Sequence, residues 1–325
     1  MRTLAGRAAL GGGVVWVIYV GFFVPNLHHG AWAHALLLLA ALVLVPLTLD
    51  LVDRETSGTE PAGWKNAGRM LQVPAALLLT WACAREPGFW PAAASIPWVV
   101  VCGFTALRGC WRFTKDQAWR SCDTLCLNAA MVFLGIGGAW VFADRLGFRP
   151  LDFADAIVTL TAVHFHFAGL LLPTAAGMIV RAYPSSRFAS LSGKGVVVLV
   201  PALAGGITAT QLGGTAYIEA IVGSALALCG AFVAVLHVRL ALESRHSVPV
   251  RVLFLVAGVS LFFGMLLAGA YSIRSISLPL PWLDIPWMRA LHGTANALGF
   301  GLCGLLGWRA YQGGGAGRPL ALRSG

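Results

Sequence analysis

The chain has 325 residues, of which 58% are apolar and 11% charged, with 39 glycines and a net charge of +10. Soluble domains carry about a quarter charged residues, so this composition excludes a soluble enzyme. The longest polar interval, 53–69, is too short to hide a domain with its own core.

Ten segments are long and apolar enough to cross a bilayer: 8–24, 31–51, 70–85, 92–110, 123–143, 153–180, 195–213, 215–238, 251–272 and 288–310. None shows the alternation of a membrane barrel, so the predicted fold class is all-α: a polytopic transmembrane helical bundle of about ten spans. It forms a single integral membrane domain over 1–325, ending in a short Gly/Arg-containing tail, 311–325. The third span is the least regular, because Arg85 and Glu86 close it early and Pro87 and Pro91 follow. The 23 Lys and Arg divide 18 to 5 between alternate gaps. That asymmetry puts both termini in the cytoplasm. It also reads the basic residues as topology signals, so the lipid bilayer is an expected partner and nucleic acid is not.

Arg2, Arg7, the apolar stretch after them and Ala31-Trp32-Ala33 also imitate a cleavable signal peptide, although that stretch exceeds the usual h-region. Cleavage would leave the direction of every later span unchanged. The seven cysteines lack CxxC or zinc-ligand spacing and read as small apolar packing residues.

Ionisable groups inside spans are costly and so mark candidate function. With the orientation fixed, His28, His29, His34, Asp152, Asp155, Gln211, Glu219, Asp284 and His292 all belong to the outer half. The inner half holds mainly Asp50 and interfacial Arg and Lys. This asymmetry predicts a cavity opening outward, with His28, His29, Asp152 and Asp284 interfacial.

The segment Thr161-Ala-Val-His-Phe-His-Phe-Ala-Gly169 lies near the bilayer middle. Its two histidines are i,i+2 and point about 200° apart on a helix, so they cannot share a metal from an unbroken helix. His166 shares a face with Thr159 and Asp155, an expected polar stripe. His164 shares its face with Thr161, whose hydroxyl is expected to fix the ring. Pro173 removes the hydrogen bond to the Gly169 carbonyl and predicts a kink below the pair. In the last span His292 and Asn296 are i,i+4 and can act on one ligand or one partner helix. Gly293, Ala297 and Gly301 form a small-residue stripe beside them. Each histidine can alternatively be a packing group bonded to a neighbouring helix. A short echo, Asn128-Ala129 before Trp140 and Asn296-Ala297 before Trp308, sits in oppositely directed spans as an inverted repeat requires. Chance accounts for so brief a match.

His164-Phe-His166 with Phe167-Ala-Gly169, and His292-Gly293 with Asn296-Ala297 and Gly299-Phe300, resemble the motifs of the YndJ-like bacterial membrane proteins. The resemblance covers these two motifs and, loosely, the ten-span frame; it does not reach the first 120 residues. It implies a transporter label without a substrate or mechanism. It also implies that some members carry further C-terminal sequence, and the expectation is that any function housed there is absent from this chain.

Three functions follow as expectations. The first is a secondary transporter or solute-binding permease, with His164, His166, His292, Asn296, Glu219 and Asp155 lining an outward cavity for a small solute or ion, and histidine beside carboxylate permitting proton coupling. The second is a haem- or metal-binding redox protein, which needs two histidines at matching depth; the motif positions set His292 about seven residues from the other pair in depth. The third is a scaffold or sensor whose polar groups only hold helices together. An enzyme is the weaker reading, since the chain carries no HExxH and no serine suitably spaced from histidine.

Overall fold

The computed structural model describes residues 3–55, 62–115, 117–243, 246–277 and 280–313, without the side chains of 62, 65–67 and 118. The tail beyond 313, the basic residues Arg2, Arg245, Arg318 and Arg323, and part of the polar interval 53–69 lie outside the described residues. Those described form ten helices and no strand. They are α1 (Leu4–Phe23), α2 (Ala31–Glu55), α3 (Ala62–Cys83), α4 (Phe89–Lys115), α5 (Cys122–Leu146), α6 (Asp155–Ala182), α7 (Arg187–Gln211), α8 (Ala216–Leu242), α9 (Val248–Ser272) and α10 (285–313). Eight are long and apolar enough to cross a membrane. The other two, α3 and α10, are interrupted by polar residues that the bundle covers, Gln72 in one and Arg289 and Asn296 in the other. An even number of crossings returns the two termini to one face.

Helix ends differ from the expected spans where capping sets them. Thr3 accepts the Gly6 N–H at 3.2 Å and starts α1 at Leu4 instead of 8. Asp284, expected to be merely interfacial, accepts the Trp287 N–H at 3.0 Å and starts α10 at 285 instead of 288. The third span runs 62–83 and not 70–85, because its polar first turns continue the helix towards the surface.

The bundle is built round α2. Its apolar residues go all the way round the helix, and a helix of that kind is buried on every side. Ninety-four per cent of its apolar window is covered, against 22% for α1 at the periphery. The cytoplasmic end of α2, by the charge rule, carries Asp50, Asp53 and Glu55. Arg69 of α3 and Arg108 of α4 reach Asp53 at 3.0 and 2.6 Å, Arg54 reaches Asp50 at 2.9 Å, Arg309 of α10 also bonds Asp50, and Arg181 of α6 bonds Glu55. Four helices are thereby tied to one. The inner basic residues expected at the lipid interface are in large part these internal partners.

Wide π-helical turns occur at Ala40–Leu44 in α2, Phe165–Leu171 in α6, and Met288–Gly293 and Ala295–Cys303 in α10. The wide turns of α10 touch those of both α2 and α6. In α2 and α6 a proline, Pro46 or Pro173, stands two residues past the wide turn. The kink expected from Pro173 takes this form: the Leu172 N–H reaches back to the Phe167 carbonyl, a five-residue bond, and the helix continues to Ala182. Such turns cluster at functional sites in helical proteins, and here they coincide with both histidine motifs.

Candidate functional site

The two histidines of α6 have different fates. The His166 ring is wholly buried. Its Nδ1 donates to the Ala162 carbonyl at 2.8 Å, because a carbonyl can only accept, and its Nε2 therefore accepts the Trp98 Nε1–H at 3.1 Å. Trp98 stacks on the ring at 5.9 Å between centroids, and a Cβ on Gly137 would lie 2.9 Å from Nδ1. No side of this imidazole is open.

His164, two residues earlier, is exposed although it sits nine residues, about 14 Å, into the helix. Its Nδ1 donates to the Leu160 carbonyl at 2.8 Å, which leaves the Nε2 lone pair without a partner among the described residues. Its ring lies 6.5 Å from that of His292, with the planes only 24° apart. His292 donates from Nδ1 to the Gly264 carbonyl of α9 at 2.8 Å and receives the Asn296 amide at Nε2, 3.2 Å away. The Asn296 Oδ1 is buried and has no hydrogen-bond partner. Gly264 makes this possible, since a Cβ there would meet the Asn296 amide at 2.6 Å. Trp32 of α2 closes one flank by donating its indole N–H to Thr294 at 3.0 Å.

The structure thus brings together three of the six expected site residues: His164, His292 and Asn296. The expected seven-residue offset in depth does not hold: α10 starts at 285, capped by Asp284, and α6 starts at 155, so His292 and His164 lie at similar depth. His166 does not join them. The stripe from Asp155 ends at Thr159, whose hydroxyl serves the Asp144 carboxylate at 2.5 Å and the Asp155 carbonyl at 3.1 Å. The Asp155 carboxylate turns outward to Arg149 at 2.6 Å and holds that guanidinium above its ordinary value. Thr161 bonds the Ile157 carbonyl at 2.7 Å and does not fix the His164 ring. Glu219 is buried beside Arg274, at 2.9 Å, where α8 meets α9.

Two arrangements were not evident in the sequence. His237 of α8 repeats the His166 pattern: Nδ1 donates to the Val233 carbonyl at 2.8 Å and Nε2 accepts the Trp308 indole at 3.1 Å. The second is a buried outer cluster. Arg145, 1% exposed, donates to Asp144 at 2.7 Å, to His34 Nε2 at 2.7 Å, and to the Ala82 and Arg85 carbonyls at 3.1 Å. His34 Nε2 also lies 3.2 Å from the Asp144 carboxylate, so Arg145, Asp144 and His34 form one hydrogen-bonded cluster. Arg145 reads as a loop cation in the sequence; it is an internal tie between α2, α3 and α5.

For haem, His164 and His292 now match in depth. His292, however, has both nitrogens engaged, and among the described residues no group of three or more His, Cys, Asp or Glu side chains can hold a metal ion. Two voids lie elsewhere: one of about 10 Å³ beside His237 and Trp308, and one of about 340 Å³ between α1, α2 and α3. What His164, His292 and Asn296 offer chemically is acceptor capacity, one imidazole lone pair and one amide oxygen, within the span of a small donor ligand.

The chain is 27% identical over 297 residues to the uncharacterized membrane protein YndJ of Bacillus subtilis (strain 168). The match covers 90% of this chain and 51% of that protein, so the chain spans about half the length of its relative. No solved structure matches it. The family model described as YndJ-like protein matches residues 35–300, a stretch that contains both histidine motifs. The chain belongs to the YndJ-like family of membrane proteins.

Proposed function

We propose that this multi-pass protein is a secondary transporter or solute-binding permease of the bacterial cytoplasmic membrane. It takes a small hydrogen-bond-donating solute or ion from the outer side at His164, His292 and Asn296. The observation that carries the reading is a pair of acceptors without a partner among the described residues, His164 Nε2 and Asn296 Oδ1, on two helices whose histidine rings lie 6.5 Å apart. A buried polar atom is rarely left unpaired, so the Asn296 Oδ1, with the open His164 lone pair on the neighbouring helix, marks a place for a donor. The π turns on both sides support it, because a wide turn has a second, ordinary helical arrangement available to it and can change state when the ligand arrives. A neutral histidine that gains a proton there turns from acceptor to donor, which allows proton-linked release. His166 takes a positioning role in this reading, as the strut that fixes the α6 wide turn against α4. The outer ion pairs Asp155–Arg149 and Glu219–Arg274 hold the outer helix ends in this reading and do not select the solute.

The test is proton flux in vesicles. Purified protein is reconstituted with a lumenal pH dye, and a panel of amines, hydroxylated solutes and monovalent cations is added outside. A solute-dependent pH change in the wild type that is lost in His164→Gln supports the reading; a signal equal to that of empty vesicles across the panel overturns it. A visible spectrum of the same sample tests haem directly, since a Soret band would replace the transport reading with a redox one.

A further inference from the structure

Between α1, α2 and α3, in the leaflet that the charge rule makes cytoplasmic, lies a cleft of about 340 Å³. It exists because the facing residues are small or cannot fill space. Ala8, Gly11 and Gly12 on α1 meet Ala41 and Pro46 on α2, and Gly12 approaches so closely that a Cβ would lie 2.3 Å from the Leu42 carbonyl oxygen. The backbone contact at Gly12 holds the helices together while the space beside it stays open. Because α1 is covered over only 22% of its apolar window, the cleft gives onto lipid.

Two polar groups break the apolar lining. Gln72 of α3 is 6% exposed, lines the cleft, and makes no hydrogen bond among the described residues. An amide that faces a hydrocarbon-filled cleft without a partner is costly, so Gln72 calls for an acceptor or donor from outside the protein. Arg7 stands at the mouth, exposed and without an acidic partner among the described residues. From Arg7 to Val15 the cleft extends about 12 Å along α1, close to the depth of one leaflet's hydrocarbon.

We propose that this cleft is a binding site for one anionic phospholipid of the inner leaflet. The lipid phosphate pairs with Arg7, a glycerol ester carbonyl accepts from the Gln72 amide one level deeper, and an acyl chain lies along Gly11, Val15 and Ala41. The order of the three protein features, cation, amide, apolar wall, is the order of phosphate, ester and chain going into a leaflet. The charge of Arg7 commits the site to an anionic headgroup.

The proposal is tested by native mass spectrometry of the detergent-purified protein with phosphatidylglycerol or phosphatidylcholine carrying identical chains. The wild type is expected to retain phosphatidylglycerol about fivefold better, the preference one arginine near a surface supplies. Arg7→Gln should bring the two lipids to parity. Gly11→Leu fills the cleft from a position where an added Cβ meets nothing within 4 Å, so it should expel both lipids without disturbing the fold. Gln72→Leu should weaken both lipids together. Equal retention of the two lipids by the wild type, or retention unchanged in Arg7→Gln and Gly11→Leu, overturns the assignment. Arg7 is exposed, so its variant reports even if a cleft-filling one folds poorly.

Discussion

His164 and His166 stand two residues apart on one helix and teach opposite lessons. His166, like His237, gives its Nδ1 proton to a carbonyl one turn back and its lone pair to a tryptophan on another helix. These are two copies of one strut, each joining helices distant in sequence. His164 makes the same backward bond but faces only the His292 ring, and its lone pair stays free. Depth in a membrane therefore does not by itself separate binding histidines from structural ones. The deciding variable is whether a donor on a neighbouring helix saturates Nε2.

The largest expected effect is on the struts. Replacing His166 or His237 with Leu leaves a buried indole N–H unpaired, which costs about 1–3 kcal/mol each. The pairs share no helix, so the double variant should lose the sum to within about 0.5 kcal/mol; denaturant unfolding in detergent measures it. Marked non-additivity would show the struts to be coupled and the comparison too simple. Next comes Gly264→Ala, whose methyl would sit 2.6 Å from the Asn296 amide. It should destabilise by about 1–3 kcal/mol and also abolish solute-driven flux, in contrast with the His237 strut, whose variant should retain flux in proportion to folded protein. Glu219→Gln should cost less than about 1 kcal/mol, since its partner Arg274 is a third exposed, and should leave the solute panel unchanged; a changed panel would extend the site to α8. The smallest stability effect belongs to His164→Gln, within about 0.5 kcal/mol as for an exposed position free of such ties, yet flux should disappear.

The ten helices were legible in the sequence because apolar length and the basic-residue asymmetry are properties of composition, readable without tertiary knowledge. The two motifs were legible as costly groups in oil. Their division into strut and site was not. Trp98 and Trp308 look in the sequence like any aromatic residue of a span, and only the fold shows each indole aimed at an imidazole. His237, close to the end of its span and near Arg239, carried no signal beyond an interfacial histidine. The meeting of His164 with His292 was hidden by helix starts, which Asp284 shifts by one turn, and Arg145 was hidden by its place next to a loop. Expectations drawn from helical faces alone, such as the stripe from Asp155 to His166, failed where a nearer partner claimed the side chain.

The account turns on His164 opening to water and not to lipid. In a background with the seven native cysteines removed, His164→Cys and His166→Cys can each be exposed, in intact cells, to a membrane-impermeant cationic methanethiosulfonate reagent that reacts only in water. The account predicts rapid modification at 164, slowed by His292→Trp, which fills the space opposite, and no modification at 166. A cysteine at 164 as inert as the one at 166 would contradict it and leave the histidine pair as packing in a bundle held by its struts.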